Sequence, residues 1–313
     1  MVPRTSGKGA PIKKKGFLIF SLVILGVFVA VATVAVGLIA NSFTNGTTVE
    51  DIEVDVNQEE LKIEEPQIQA VDFQPIVDEW VESVGGNKSV LIYDLDRGEL
   101  AGSYNSNEPY NTASLYKLFV VYEVYREIQS GALDPDKNID TVGYTILECL
   151  DLAIRESYSP CAETLWDMIG RQNLNDIIKN DFDITNSDIS SLTSNPEDVL
   201  KIMQLFFKHP EIKDKQLVEQ IKDSFLNQPI TTYDWRMGLP SGFAKANVYN
   251  KVGWDFNADM NYWNLYHDAA IVEFPEQNRH FVVVVMTNFV SPVQIAKLGT
   301  LIENAFMNQW GGV

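Results

Sequence analysis

The chain has little histidine, little cysteine and, beyond its first residues, little positive charge. Its three histidines, His209, His267 and His280, form no His-Glu-x-x-His pattern and stand at no Cys/His ligand spacing, so no metal is expected. No Gly-x-Ser-x-Gly elbow occurs, which argues against a Ser-His-Asp hydrolase. The two cysteines, Cys149 and Cys161, are poor nucleophile candidates. They pair if an antiparallel helical turn brings them together in an oxidising compartment; two buried free thiols is the other reading. No cysteine closely follows the apolar run near the N-terminus to suggest a lipoprotein, and no internal repeat is visible.

The formal charge is −19, and five of the cations (Arg4, Lys8, Lys13, Lys14, Lys15) lie in the first 15 residues. Without those five, residues 41–313 carry −24, which disfavours nucleic acid or an anionic membrane surface as a partner. The basic stretch precedes an uncharged apolar run from Phe17 to Ala40. As a helix at ~1.5 Å per residue it spans about 36 Å, enough to cross a ~30 Å hydrocarbon core. Residues 1–15 are therefore expected to be a cytoplasmic tail and 16–40 one transmembrane helix, with the remainder exported. A cleaved signal peptide is the alternative, although its apolar region is usually only ~7–15 residues long. Residues 41–72 read as an acidic stalk, since eight acids between Glu50 and Glu65 accompany a single lysine, Lys62. Residues 73–313 are long enough for one large-cored domain or two interleaved lobes.

Within that domain, Val77 to Val84 has helical periodicity, and Ser89–Asp94 and Glu99–Tyr104 read as strands joined by a turn at Asp96-Arg97-Gly98. Helices are expected over 114–130, 143–156, 160–170, 196–208 and 214–227, with Pro160 and Pro196 in first turns and Asn195 as a cap. Strand signals return at 248–252, 266–274 and 280–287, and a last helix runs over 292–309. The expected fold is α/β in the α+β sense: an antiparallel five-stranded sheet drawn from both chain ends, plus an all-helical lobe.

Ser114-Leu115-Tyr116-Lys117 places a serine and a lysine one helical turn apart at a predicted helix start, where a nucleophile and its base can stand together. A lysine is a base near neutrality only when desolvated or set beside another cation, and Lys251 is a candidate for that cation. Gly253 would let a substrate backbone approach the strand edge, and the Trp254 and Ser114 N–H groups would form an oxyanion hole. Ser157-Tyr158-Ser159, between two helices, offers a hydroxyl to relay a proton; simple capping by Ser159 is the other reading. Trp235, Trp254 and Trp263 bracket the cleft.

These segments resemble the class A β-lactamase and penicillin-binding serine hydrolase family. Ser114-x-x-Lys117 matches its S-x-x-K, Ser157-Tyr158-Ser159 falls where it has S-D-N, and Lys251-Val252-Gly253 where it has K-T-G. Gly238-Leu239-Pro240 and the His267-Asp268-Ala269-Ala270-Ile271-Val272 strand are similar to two further family segments. The resemblance covers residues 73–313. It implies acylation of Ser114 by a β-lactam or a D-Ala-D-Ala-like peptidoglycan stem peptide. Lys117 would activate Ser114, Ser157 would pass a proton to the leaving nitrogen, and Lys251 would attract the substrate carboxylate. Ser159, Val252, Gly253 and Trp254 would line the substrate site, and no cofactor is implied.

Three departures stand out. Ser159 replaces an amide and is expected to reach less far toward Lys117, and Val252 replaces a threonine. The stretch from Asn180 to Asn195 contains no glutamate to direct a deacylating water; Asp181, Asp183 or Asp188 could substitute, but aspartate is shorter, and solvated loop acids are the expected reading. Slow deacylation follows, which suits a peptidase, transpeptidase or penicillin-binding protein better than an efficient β-lactamase. The rival is a catalytically impaired module that holds a wall peptide or a protein in the same cleft. Oligomeric state is not legible.

Overall fold

The computed structural model describes residues 68–228 and 236–310. The apolar run, the stalk up to residue 67 and Trp235 lie outside them, and no helix among the described residues is long and apolar enough to cross a membrane.

Helix α1 (Gln74–Ser83) leads into strands β1 (Asn87–Asp94) and β2 (Glu99–Tyr104). A short strand β3 (Tyr110–Asn111) and a 3-10 turn (Ala113–Leu115) precede the long helix α2 (Tyr116–Ser130). The small hairpin of β4 (Asn138–Ile139) and β5 (Tyr144–Thr145) is followed by α3 (Ile146–Arg155), α4 (Ser159–Ile169) and α5 (Arg171–Asp181). Strand β6 (Thr193–Ser194) pairs with β3, and α6 (Pro196–Lys208) and α7 (Lys215–Leu226) complete the helical lobe. Strands β7 (Asn247–Asn257), β8 (Tyr262–Phe274) and β9 (Arg279–Asn288) then join the first pair before the closing helix α8 (Pro292–Trp310). The sheet is antiparallel throughout, in the order β2-β1-β9-β8-β7, so both chain ends build it as expected and β7 is left as an edge.

The sheet is covered on both faces, which is why β9 reads as a nearly unbroken apolar run. Val282, Val284 and Met286 face the helical lobe and its central helix α2, whereas Phe281, Val283 and Val285 face α1 and α8. Successive residues of each strand thus feed two separate cores. Lys251, opposite Ala269, and Gly253, opposite His267, lie on the helical-lobe face of the edge strand, because cross-strand partners share a face and Ala269 belongs to that core.

Helix boundaries follow local chemistry. Asn195 caps α6 by accepting from Asp198 N at 2.9 Å, with Pro196 in the first turn, and a Thr145/Glu148 capping box starts α3. That box moves the start of α3 to Ile146, three residues after the expected 143. Two further elements differ from expectation. Helix α5 was not anticipated, since only Leu174 and Ile178 of its face are buried and the rest is polar. The polar stretch from Asp255 to Asn264, between the expected strands 248–252 and 266–274, is a hairpin: β7 continues to Asn257 and β8 begins at Tyr262. Aromatic pairing across it, with Phe256 opposite Trp263, extends both strands through a polar sequence.

Cys149 and Cys161 form a disulfide that ties α3 to α4 across the Ser157 loop. On the other side of the sheet, Gly242 is where α8 meets the turn before β7: a Cβ there would lie 2.1 Å from Ala296 O and 2.8 Å from Gly299 Cα. Gly242→Ala is expected to lower stability by about 1–3 kcal/mol, read as a reduced urea midpoint at unchanged slope.

Candidate active site

The segment that presents Ser114 is held from both sides. Thr112 N donates to Leu192 O at 2.7 Å, and the Asn111 side chain accepts from Ala113 N at 2.9 Å. Buried His267 reaches across from β8. Its Nδ1 accepts from Thr287 N at 3.0 Å, so the proton sits on Nε2 and is donated to Asn111 O at 2.7 Å. Burial pushes this imidazole down to about 4, keeping it neutral. Ala113, immediately before Ser114, has φ of 41°, a left-handed conformation that costs a non-glycine residue roughly 1–3 kcal/mol. Ser114 itself stands in the 3-10 turn rather than the first turn of α2.

Gly253 also has a structural reason of its own. A Cβ at this position would lie 2.6 Å from Thr112 O and 3.1 Å from the backbone nitrogens of Ser114 and Leu115. The close approach is to the turn carrying Ser114, and only glycine lets β7 and that turn come together.

Around this contact three elements bring their polar groups to one point. Lys117 from α2 donates its Nζ to the Ser157 carbonyl, to Ser157 Oγ at 3.2 Å and to Ser159 Oγ at 3.1 Å. Lys251 from β7 donates to Ser157 Oγ at 2.8 Å and to Val252 O at 2.9 Å. The Ser157 hydroxyl therefore stands between two amines, on a residue whose φ of 54° is again left-handed. Burial lowers the Lys117 amine to about 8, with the Glu163 carboxylate acting weakly the other way. Burial lowers Lys251 well below its ordinary value, reinforced by the nearby Lys117 charge. A hydroxyl between two low-pKa amines is able to pass a proton in either direction. The Ser114 hydroxyl itself has no hydrogen bond to Lys117 among the described residues, a looseness that unliganded nucleophile and base pairs often show.

The expected substrate-lining residues divide. Ser159 is not a cap: the N-cap of α4 is Tyr158, without a side-chain bond, and Ser159 Oγ reaches Lys117 despite being shorter than an amide. Val252, expected to line the substrate site, packs its side chain in the second core, on the face away from Lys251. Trp254 lies on that same far face, its ring 5.6 Å from that of Trp263, so both residues have only backbone to offer at the strand edge.

The loop acids also point elsewhere. Asp181 pairs with Arg126 at 3.0 Å, the exposed Asp183 lies by Lys201, and Asp188 accepts from Asn175 and Ser190 at 2.6 Å each. Sequence reading missed two supporting carboxyls. Glu163 accepts from the Tyr116 hydroxyl at 2.6 Å and pairs with Arg171. Asp268 accepts from Leu239 N at 2.8 Å and from Asn250 Nδ2 at 2.9 Å, joining the Gly238-Leu239-Pro240 segment to β7. A Cβ on Gly238 would fall 2.3 Å from Asp268 Oδ2, the physical reason for that glycine. The sequence signal for the second contact was present as two separate motifs; nothing in either said that they touch.

A protein-family model described as the beta-lactamase enzyme family matches residues 72–306. Among solved structures, an ancestral class A beta-lactamase superposes with a TM-score of 0.63 at 18% identity, over 75% of this chain and 100% of that one. The structure of PBP-A gives 0.65 at 15% identity, over 78% and 100%. A beta lactamase from Xanthomonas campestris pv. campestris gives 0.64 at 13% identity, over 74% and 97%. At these identities the likeness is one of fold. No curated protein sequence matches the chain.

His267 and its neighbour Asp268 are expected to act on stability in opposite senses. His267, lowered to about 4, costs stability as pH falls from 6.5 to 4, where only the unfolded chain takes up the proton. Asp268, pushed up to about 7 by burial, costs stability as pH rises from 3.8 to 7. Asp268→Asn should therefore expose the histidine effect, losing stability on acidification by up to about 1.4 kcal/mol per pH unit across that window. Urea midpoints measured from pH 4 to 7 check the slope.

Proposed function

The chain belongs to the beta-lactamase enzyme family, and from that membership we propose that it is a membrane-anchored, exported serine hydrolase acylated at Ser114 by β-lactams or D-Ala-D-Ala-like wall peptides. The observation that carries this reading is Ser157 Oγ between Lys117 and Lys251, beside the turn that presents Ser114. Ser114 Oγ attacks the acyl carbonyl while its proton passes to the neutral Lys117 amine. Ser157 then delivers a proton to the leaving nitrogen, drawing on either lysine. The backbone N–H groups of Ser114 and Trp254 are the donors proposed for the oxyanion. Lys251 attracts a substrate carboxylate from beneath Ser157. No metal or organic cofactor enters these steps.

The second half of the reaction is the slow one. Asp181, Asp183 and Asp188 are engaged away from the lysine pair, which supports an acyl-enzyme that water clears poorly. A penicillin-binding protein, D,D-peptidase or transpeptidase fits that behaviour. The apolar run 16–40 with its basic flank supports a single-pass anchor with the domain outside the cytoplasm.

Intact-mass analysis of the protein mixed with a penicillin is the test. A persistent adduct is expected, absent in Ser114→Ala and formed on the order of 10²–10⁴-fold more slowly in Lys117→Ala. Lys251→Ala should mainly weaken capture of carboxylate-bearing donors. An unmodified chain without product overturns the reading in favour of a binding module. The acylation rate is expected to rise with pH and level off above about 8, because Lys117 must shed its proton to serve as base. A rate independent of pH between 6 and 9 counts against Lys117 as the base.

A further inference from the structure

A cavity of about 130 Å³ lies between helices α6 and α7 and the helical-lobe face of the sheet, and neither lysine of the candidate active site nor Ser157 lines it. Its walls are Phe206, Phe207, Ile221, Phe225, Tyr249 and Ile271. On the helical side Phe206 and Phe225 meet edge to face at 5.1 Å; on the sheet side Tyr249 and Ile271 are cross-strand partners. Such a space admits one six-membered ring, since an apolar cavity of about 150 Å³ takes benzene. Its polar groups are unusual. Glu273 Oε2 accepts from the Tyr249 hydroxyl at 2.9 Å and from Asn247 Nδ2 at 3.1 Å, whereas Oε1 has no hydrogen bond among the described residues. His280 Nδ1 lies 3.0 Å from Asp96 Oδ1. A carboxylate only accepts, so the proton of the neutral imidazole sits on Nδ1 and Nε2 presents a lone pair. That lone pair faces Glu273 Oε1 across 3.8 Å, two acceptors with no donor between them and too far apart for a hydrogen bond of their own. The neighbouring cations are turned elsewhere, Lys222 toward Glu219 at 3.7 Å on its own helix and Arg279 toward Asp96 at 3.4 Å, and His209 Nδ1 lies 3.3 Å from Ile212 O.

We propose that this cavity binds a primary arylalkylamine, with its ring among the apolar walls and its ammonium donating to both Glu273 Oε1 and His280 Nε2. A nitrogen at hydrogen-bond distance from each acceptor closes the 3.8 Å gap, and a primary ammonium has donors for both. The carboxylate makes one of those bonds charge-assisted, and the aromatic walls suit a cation beside them. A ring without a donor would leave the two acceptors facing one another, and an anion would be repelled by Glu273. This combination of an apolar body with a few convergent polar groups is that of a small-molecule site. Tyr249 stands two residues before Lys251 on the same face of β7, about 7 Å away at ~3.3 Å per residue, so the cavity neighbours the lysine pair without sharing a side chain with it. The inference stands on the cavity alone and does not depend on acyl transfer at Ser114.

The test titrates the full-length protein in detergent with benzylamine at pH 8, where ordinary imidazoles are neutral, and follows binding by calorimetry. Saturable single-site binding is expected, with toluene and benzyl alcohol at least about tenfold weaker, the worth of a hydrogen bond to a charged group. Glu273→Gln keeps the shape of the side chain and removes its charge; it should weaken benzylamine about 10- to 100-fold. Ile221→Phe fills the cavity with a ring and should abolish binding, which locates the site. Urea midpoints matched to the wild type establish that the variants fold, and Glu273→Gln decides alone if the overpacked variant does not. No saturable binding of benzylamine to the wild type overturns the proposal. So does equal binding by either folded variant, or toluene or benzyl alcohol binding as tightly as benzylamine.

Discussion

Two lysine amines share one serine hydroxyl in a buried seam, and most of the architecture serves to keep them there. Lys117 comes from the central helix of one lobe, Lys251 from the edge strand of the other, and Ser157 from the loop between α3 and α4. Water would hydrate each amine separately, so burying them side by side is costly. The cost is met partly by the lowered proton affinity of both amines and partly by oxygen partners, three for Lys117 and two for Lys251. Such a cluster persists only if the two lobes hold a fixed distance.

The fixed distance follows from the sheet. Because both of its faces are covered, neither lobe slides without opening a core, and the packed interior resists partial adjustment. Gly253 lets the edge strand touch the turn carrying Ser114, and neutral His267 ties the approach to that turn back to β8. The disulfide joins the two helices that flank Ser157. Against this rigid background the left-handed Ala113 and Ser157 are held in place by their surroundings, as strained residues at functional sites usually are.

The departures from the family pattern differ in weight. Ser159 still reaches Lys117, so its substitution leaves the proton network closed. Val252 adds its side chain to the core behind the sheet and leaves the strand without a hydroxyl at that position. The glutamate-free stretch departs most, because its acids Asp181 and Asp188 are held by partners of their own.

Much of this was legible in the chain itself. Apolar periodicity, prolines in first turns and the Asn195 cap gave the helix boundaries, and the strand runs at both ends implied one shared sheet, because these are local propensities that tertiary contacts reinforced. The serine and lysine motif marked the candidate site for a similarly local reason: Ser114 in the 3-10 turn and Lys117 at the start of α2 are three positions apart. Helix α5 escaped because its stability comes from docking Leu174 and Ile178, and the β7–β8 hairpin because cross-strand aromatics override a polar sequence. What tertiary structure alone decided is direction. A strand alternates its faces, so only the assembled sheet sends Lys251 into the cleft and Val252 out of it, and only lobe packing sets Ser157 between two amines 134 positions apart in sequence, Lys117 and Lys251.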